Sequence, residues 1–350
     1  MITVISPMWP TKDQPNFGVF VKRVVGQLNN RGVVVTRVVS IKGRGHGLTK
    51  IYKHTVFSIS AIFYVLFDRS EIVYVHAPNY LFGIVFCFAK FVGKKVVVNF
   101  HGNDLLPSSS LQSYVYHVNK FFYRHVDSIV VPSNYFKKEI KKKLPEFKRS
   151  IFISASGGVD FNLFKPKTVN DHVVRVAYVG RVDKGKGWDD YCFLCESCQG
   201  VGNVLFYVIG SGIDFDLMKN RLSSFDNVKF LGMLSQEILA STLGIIDIVV
   251  FPSKLPESLG LSAIEALASG CKVVAYDNAA IPEYVSNTNG YLVKFGDKES
   301  LSDSLKSAIK GLKSEVGIPY NIRATVSEYD SNKVADRLAF HLQEVANEKN

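Results

Sequence analysis

Short apolar runs rich in valine and isoleucine alternate with longer amphipathic stretches along almost the whole chain. Buried parallel strands have this composition, and the stretches between them have the period of surface helices. We predict helices at residues 19–30, 52–66 and 133–143, among others. The runs predicted as strands are residues 2–6, 33–39, 72–76, 96–100, 128–131, 152–154, 173–179, 204–209, 228–230, 246–251, 272–276 and 291–293.

One polar stretch, which begins at Lys165 and ends at His172, interrupts this alternation. A chain of 350 residues is also too long for one ordinary core. We therefore predict an α/β fold with two doubly wound, Rossmann-like domains, residues 1–167 and 168–330, that face each other across a cleft. Ligands of such sheets bind at the carboxyl ends of the strands. The pattern of residues 331–350 predicts one amphipathic helix, whose placement the sequence leaves open.

The charge is unevenly distributed between the two halves. Residues 1–165 contain 23 basic and 8 acidic residues, a net charge of +15, whereas residues 166–350 contain 19 and 23. The basic half predicts attraction to an anionic membrane surface, with a solvated lysine-rich face as the alternative. Basic and aromatic residues mix at 114–124, and lysines cluster at 137–149. We do not expect nucleic acid as a partner, because no DNA- or RNA-binding module surrounds these residues.

The longest apolar runs, residues 56–67 and 80–89, are shorter than the ~20 residues that cross a bilayer. The first ten residues also lack the basic start of a signal peptide. We therefore expect a cytoplasmic protein, peripheral on the inner face of the membrane. The odd number of cysteines, five, agrees with reduced thiols.

Two patterns could indicate a metal. Cys192, Cys195 and Cys198 have a spacing found in iron–sulfur and zinc sites, but the surrounding residues predict a helix that buries small apolar thiols. Asp214 and Asp216 have a spacing that some metal-dependent enzymes use, but they begin a predicted helix, where acidic residues suit the helix dipole. We expect no metal and no cofactor.

Two glycine-containing loops follow predicted strands and could bind phosphate. Residues 180–186 match most of a P-loop, but Gly187 stands where a P-loop needs a hydroxyl for Mg²⁺, which leaves Arg181 and Lys186 as cations for a diphosphate. Gly210 and Gly212 would need a third glycine at position 215 for a dinucleotide fingerprint, and Phe215 stands there.

A third candidate lies between Glu257 and Glu265, where Gly260 opens a predicted helix and Gly270 closes it. The amino end of this helix would offer N–H groups to an anion, worth roughly 0.3–2 kcal/mol. A helical rise would separate the two carboxylates by roughly 12 Å. Glycosidase pairs lie roughly 5–9.5 Å apart, so this pair suits the two ends of a longer ligand.

These segments together resemble the retaining, two-Rossmann-domain (GT-B) glycosyltransferases of family 4, the glycosyltransferase group 1 type. Glu257 and Glu265 match the E-x7-E signature of that family, and Arg181 with Lys186 matches its V-G-R…K-G motif. The resemblance continues at residues 16–21, 101–104, 131–134, 157–166 and 281–293. Departures at Gly157, Ser258, Leu259 and Lys272 leave the fold intact, but those at Ser258 and Leu259 leave the donor sugar open.

The resemblance implies a nucleoside-diphosphate sugar as donor, bound by the C-terminal domain, and a glycan or lipid-linked glycan acceptor, met by the N-terminal domain. It implies that Arg181 and Lys186 neutralise the leaving diphosphate, that Glu257 holds sugar hydroxyls and that Glu265 binds the ribose. His101 would lie beside the sugar, so His101, Glu257, Arg181 and Lys186 are the expected catalytic residues. The remaining expected donor-binding residues are Gly18, Gly210, Leu259, Gly260 and Leu261.

The family retains the anomeric configuration, which implies front-face attack with the departing phosphate taking the acceptor proton. The expected function is a metal-independent hexosyl transfer in cell-surface polysaccharide synthesis. Two alternatives remain open at this point. A sugar-nucleotide epimerase of the same fold would turn over the donor without an acceptor, and a non-catalytic module would only bind it.

Overall fold

The computed structural model describes residues 1–14, 17–79, 81–166, 172–314 and 321–348. The chain divides into two compact units. We call Met1–Gly158 with the C-terminal segment from Ser331 the N-terminal unit, and Val159–Asp330 the C-terminal unit.

The N-terminal unit contains a six-stranded parallel sheet with the order β2-β1-β3-β4-β5-β6. Its strands are β1 (Ile2–Trp9), β2 (Val35–Lys42), β3 (Ile72–His76), β4 (Lys95–Asn99), β5 (Ser128–Val131) and β6 (Ser150–Ile153). The helices between them are α1 (Val19–Asn29), α2 (Gly47–Phe67), α3 (Phe82–Phe91), α4 (Ser110–Tyr123) and α5 (Asn134–Lys143).

Both faces of this sheet are covered, as its continuous apolar strands require. Val96 and Val98 of β4 pack into a core with α2, α3, α4 and α5, whereas Val97 points to the opposite core with α1. Four consecutive helices therefore form one layer on one face of the sheet.

The C-terminal unit repeats the architecture with the strand order β12-β11-β10-β7-β8-β9, again all parallel. Its strands are β7 (Val174–Val179), β8 (Val204–Ile209), β9 (Val228–Gly232), β10 (Ile248–Phe251), β11 (Lys272–Tyr276) and β12 (Gly290–Val293). Its α-helices are α6 (Trp188–Ser197), α7 (Phe215–Arg221), α8 (Gln236–Leu243), α9 (Leu261–Ala268) and α10 (Lys298–Ser314), and short 3-10 helices occupy Ile281–Glu283 and Ile322–Tyr329.

The predicted α/β class with two doubly wound sheets is confirmed, and every predicted strand is present with ends that shift by up to three residues. The helix predicted at residues 52–66 begins earlier, at Gly47. A capping box causes this extension, because the His46 backbone N–H donates to the Thr49 hydroxyl at 3.1 Å.

The division between the units falls after Gly158, whereas the sequence predicts it after residue 167, a position outside the described residues. Hydrogen bonds attach the intervening segment to the C-terminal unit. The Arg323 guanidinium donates to the carbonyls of Phe161, Phe164 and Ala268. The Val159 N–H also donates to the Tyr329 carbonyl at 2.9 Å.

The last helix, α11 (Ser331–Asn347), returns to the N-terminal unit, a placement that the sequence leaves open. It packs beside α1, where Leu338 and Leu342 enter the core. The His341 ring stacks on Phe152 with centroids 4.2 Å apart, and its Nε2 lies 2.8 Å from the Ser128 hydroxyl. The C-terminal segment thus completes the layer opposite α2–α5.

No helix within the described ranges has the length and apolarity needed to cross a membrane.

Candidate active site

In the C-terminal unit, β7 and β10 lie side by side although they are far apart in sequence. From β7 the chain builds the sheet in one direction through β8 and β9, and it then returns to β10 on the other side. This is the topological switch point, where ligands of doubly wound sheets bind. The loops that follow β7, β8 and β10 contain the predicted phosphate-binding residues.

At this switch point Lys186 and Glu257 form an ion pair, with 2.6 Å between Nζ and Oε1. Their side chains are 20% and 16% exposed. The Ser253 hydroxyl donates to the same carboxylate oxygen at 2.7 Å. Two predicted site residues that are 71 positions apart therefore meet, and a third residue, which sequence reasoning missed, orients the carboxylate.

Arg181, the second predicted cation, extends from the same loop with 69% of its side chain exposed. It pairs with Asp183 at 2.5 Å. The other oxygen of Asp183 accepts from the Ile213 N–H at 2.9 Å, which connects this loop to the loop after β8. Buried Tyr178, also missed in the sequence, donates to the Arg181 carbonyl at 2.7 Å and fixes the start of the loop.

Glycines allow the three loops to pack against one another. A Cβ at Gly187, where φ is +75°, would lie 1.9 Å from the Pro252 carbonyl oxygen. A Cβ at Gly210 would lie 1.9 Å from the Gly180 carbonyl oxygen. Gly210, predicted to bind the donor, thus has a steric role in joining the loops after β7 and β8.

The segment from Glu257 to Glu265 is only partly helical. Glu257 lies in the loop before α9, so the helical rise assumed for the separation of the two carboxylates is wrong. The predicted helix limits are confirmed, since Gly260 precedes α9 with φ +79° and Gly270 follows it with φ +88°. A Cβ at Gly260 would lie 2.7 Å from the Tyr284 hydroxyl, which donates to the Leu259 carbonyl.

The other residues predicted in this segment differ in accessibility. Glu265 is 7% exposed on α9, Leu259 is 1% exposed, and Leu261 is half-buried at the start of the helix. Because the side chain of Leu259 is directed into the protein, only its backbone is positioned to contact a ligand.

In the N-terminal unit, the predicted residues follow β1 and β4. Gly18 adopts φ +75° at the start of α1, and a Cβ there would lie 2.7 Å from the Met8 carbonyl carbon. His101 follows β4, and its backbone N–H donates to the Asp104 carboxylate at 2.9 Å. Burial raises the pKa of Asp104 to about 6, although the backbone N–H groups of His101, Gly102 and Leu105 hydrogen-bond to it and favour its charged form.

His101 contacts a second histidine that sequence reasoning missed. His76, at the end of β3, is fully buried, and its Nδ1 lies 3.0 Å from Nε2 of His101. The two rings stack with centroids 5.2 Å apart, and Phe20 contacts His101 from α1. Burial lowers the pKa of His101 to about 3, so both rings are neutral near pH 7 and share one proton in this contact. Nδ1 of His101 is the ring nitrogen left to contact a ligand.

A cavity of about 240 Å³ opens in the N-terminal unit, next to the segment that follows His101. Asn103 and Asp104 line one part of it, and Tyr116 and Tyr123 of α4 line another. The buried Tyr116 hydroxyl has no hydrogen-bond partner among the described residues. A polar ligand or water in the cavity would satisfy this group.

The two metal-like patterns have structural roles. Cys192, Cys195 and Cys198 are buried in the core beneath α6, which confirms them as apolar core residues. Asp214 accepts from the Trp188 indole at 3.1 Å, and Asp216 lies in the first turn of α7, as the helix-dipole interpretation predicts. Across the described ranges, no group of three or more histidine, cysteine or acidic side chains could hold a metal ion.

Comparison with known proteins identifies the class to which this fold belongs. Residues 2–154 match the family model described as Glycosyltransferase Family 4, and residues 160–324 match the model described as Glycosyl transferases group 1. A glycosyltransferase structure from Rickettsia africae superposes with a TM-score of 0.77 over 99% of both chains at 16% identity, which indicates the same GT-B fold. The chain belongs to the group 1 glycosyltransferase family.

Two relatives have more specific names. The 2-deoxystreptamine N-acetyl-D-glucosaminyltransferase of Streptomyces fradiae is 30% identical over 141 residues, 38% of this chain and 33% of the relative. The GDP-mannose-dependent monoacylated alpha-(1-6)-phosphatidylinositol monomannoside mannosyltransferase of Corynebacterium glutamicum is 26% identical over 238 residues, 60% of each chain. The matches thus cover about a third of the first relative's length and 60% of the second's.

Proposed function

We propose that this protein transfers a hexose from a nucleoside-diphosphate sugar to a glycan or lipid-linked acceptor, with retention of the anomeric configuration. The observation that carries the proposal is the Lys186–Glu257 ion pair at the switch point of the C-terminal unit. A cation for a diphosphate and a carboxylate for sugar hydroxyls meet there, as the two neighbouring parts of such a donor require. The family of the chain and the GDP-mannose donor named for one relative support this choice.

In the free protein Lys186 and Glu257 neutralise each other. A bound diphosphate would compete for Lys186, because it carries more negative charge than one carboxylate. Glu257 would then keep its Ser253 hydrogen bond and accept hydrogen bonds from sugar hydroxyls. Donor binding would in this way separate the pair and orient each side chain for its own part of the ligand.

The leaving group would be stabilised by charge that the protein supplies. Arg181 is exposed and Lys186 is half-buried, so a diphosphate could reach both. Preorganised cations of this kind stabilise the charge that develops on a leaving phosphate. Two such cations can take the place of Mg²⁺, and we propose that no metal participates. Glu265 on α9 would bind the ribose.

Bond changes in the reaction would occur on one face of the sugar. The acceptor oxygen forms a bond to the anomeric carbon as the bond from that carbon to the phosphate oxygen breaks, and the acceptor proton passes to the departing phosphate. His101 would contribute a hydrogen bond from Nδ1 as a neutral imidazole, since His76 occupies its other nitrogen. The cavity lined by Tyr116 and Asn103 is our candidate for an acceptor hydroxyl group.

The first test is the melting temperature with UDP, GDP, ADP and Mg-ATP, each with and without EDTA. A ligand at about 100 times its dissociation constant adds about 2.7 kcal/mol of stability. For a domain of this size we expect a rise of roughly 5–10 °C with one diphosphate, unchanged by EDTA. Stabilisation by Mg-ATP alone, abolished by EDTA, would identify residues 180–186 as a P-loop and contradict the proposal.

The second test is the configuration of the product. We expect proton NMR of the new linkage to show the anomeric configuration of the donor, because front-face attack leaves it unchanged. An inverted linkage would exclude this mechanism. Conversion of the donor to an epimer when no acceptor is present would favour the epimerase alternative.

A further inference from the structure

Helix α2 carries an apolar stripe on its outer surface. The stripe runs through five turns with spacings of three and four residues, which places its members in one line along the helix. Their exposed fractions lie between 44% and 82%. The members, which we call the α2 ridge, are Leu48, Tyr52, Val56, Ile59, Phe63 and Phe67.

The ridge is not needed to hold α2 on its sheet. A different set of side chains, Phe57, Ala61 and Val65, faces inward and is almost completely buried. A surface helix that has buried one apolar face normally presents polar residues on the other. An exposed second apolar face therefore indicates a surface that binds something apolar.

Neighbouring helices extend this apolar surface. Helices α3 and α4 lie on the same face of the sheet as α2, and α3 contacts both of the others. Each adds large apolar side chains that are at least 49% exposed. These are Ile84 and Phe91 on α3 and Leu111, Tyr114, Val118 and Phe121 on α4.

The charge of the same layer is almost entirely positive. Helices α2, α3, α4 and α5 contain nine lysines and a single acidic residue, Glu139. Lys50 and Lys53 lie on α2, and α5 ends in Lys141, Lys142 and Lys143. By contrast α11, on the opposite face of the sheet, contains both acidic and basic residues.

We propose that this layer docks on an anionic lipid bilayer, with α2 lying in the plane of the interface and its ridge inserted among the lipids. Interfacial helices combine an apolar face with flanking cations in this way. A second copy of the chain is disfavoured, because two such faces would bring like charges together. Nucleic acid is disfavoured as well, because it has no apolar surface that would cover the exposed isoleucine, leucine and valine side chains.

The role of this docking rests on the proposed function, since docking would place the N-terminal unit beside a lipid-linked acceptor. It also makes the sequence prediction of a basic membrane-facing half more specific. The apolar ridge is the inserting element, and the lysines supply attraction around it. The test below uses binding alone, so its result does not depend on sugar transfer.

The experiment is flotation of the full chain with vesicles of phosphatidylcholine, alone or with about 30% phosphatidylglycerol. We expect binding to the anionic vesicles that weakens but persists at high salt, because inserted apolar groups are not screened. A variant with Ile59→Ser and Phe63→Ser should bind at least about tenfold more weakly. Phe340→Ser on α11 is the matched control and should bind normally, since Phe340 is 62% exposed on the opposite face.

A second variant tests the charge. Lys141→Glu with Lys142→Glu should weaken binding by roughly fivefold or more for each residue. If only this variant loses binding and the ridge variant binds normally, the attachment is purely electrostatic and the inserted ridge is wrong. Absence of binding to anionic vesicles would also overturn the proposal.

Two controls separate docking from the reaction. The ridge variant should keep its melting shift with the diphosphate, because the ridge lies in the other unit from Lys186 and Glu257. Lys186→Ala should float with vesicles as the unmodified chain does. Light scattering tests the alternative that a second copy of the chain covers the ridge. If the unmodified protein is a dimer and the ridge substitutions convert it to a monomer, the ridge is an interface between two copies and the lipid proposal is wrong.

Discussion

Lys186→Ala is expected to reduce the rate of donor cleavage by about a thousandfold. A cation about 4 Å from a phosphate charge is worth ~4 kcal/mol at an effective dielectric of 20, which corresponds to roughly three orders of magnitude in rate. The measurement is the rate at which nucleoside diphosphate is released from the donor. The sugar is transferred to an acceptor if one is present, and otherwise the donor is hydrolysed more slowly by water. The donor is the one whose diphosphate raises the melting temperature.

Lys184→Ala is the matched control for this prediction. Lys184 lies in the same loop but is exposed, and its replacement should leave the rate within about twofold, as surface substitutions generally have small effects. Lys186→Arg should recover part of the activity because it keeps the charge. Equal rates for Lys186→Ala and the unmodified protein would show that Lys186 only neutralises Glu257 in the folded structure.

Gly187→Ala is expected to destabilise the C-terminal unit and to abolish donor binding. The new Cβ would lie 1.9 Å from the Pro252 carbonyl oxygen, so the loops after β7 and β10 would have to separate. Large effects of this kind exceed about 4 kcal/mol and lower the melting temperature by roughly 10 °C. Thermal unfolding with and without the stabilising diphosphate measures both consequences.

Gly200→Ala separates steric overlap from backbone strain. Gly200 has φ +81°, close to the +75° of Gly187, but a Cβ there would meet nothing within 4 Å. We expect a loss of about 1–2 kcal/mol from the left-handed conformation alone and normal diphosphate binding. Similar melting temperatures for the two variants would indicate that the loops can separate without cost, against our interpretation of Gly187.

Both predictions concern the same structural feature, the contact between the loops after β7 and β10. Gly187 allows the loops to approach, and Lys186, the preceding residue, pairs with Glu257 across the contact. Ser253 and Tyr178 hold the two loops from their strand ends. The position of the cation therefore depends on packing that extends well beyond the ion pair itself.

The local features of the site could be predicted from the sequence. Most strands are largely apolar runs, and the limits of α9 follow from Gly260 and Gly270, whose backbones adopt φ values that favour glycine. The failed P-loop match at Gly187 left Arg181 and Lys186 as cations for a diphosphate. Such signals are local because they arise from side-chain periodicity and from the conformational limits of single residues.

Residue contacts across the sheet could not be predicted in the same way. The sequence does not show that His76 lies beneath His101, because two strands of similar composition can pair in many orders. Nor does it show which apolar residues of α2 face the core. Phe57 and Phe63 look alike in the sequence, yet one is 3% exposed and the other 54%.

By itself, the sequence determined two doubly wound α/β domains, the strand positions and the residue types available for a donor. Only the tertiary structure decided that β10 lies beside β7, which brings Glu257 to Lys186, and that α11 returns to the N-terminal unit. The physical reason is that strand order and helix docking depend on complementary packing between distant segments. That packing is a property of the folded core as a whole, and local sequence patterns do not predict it.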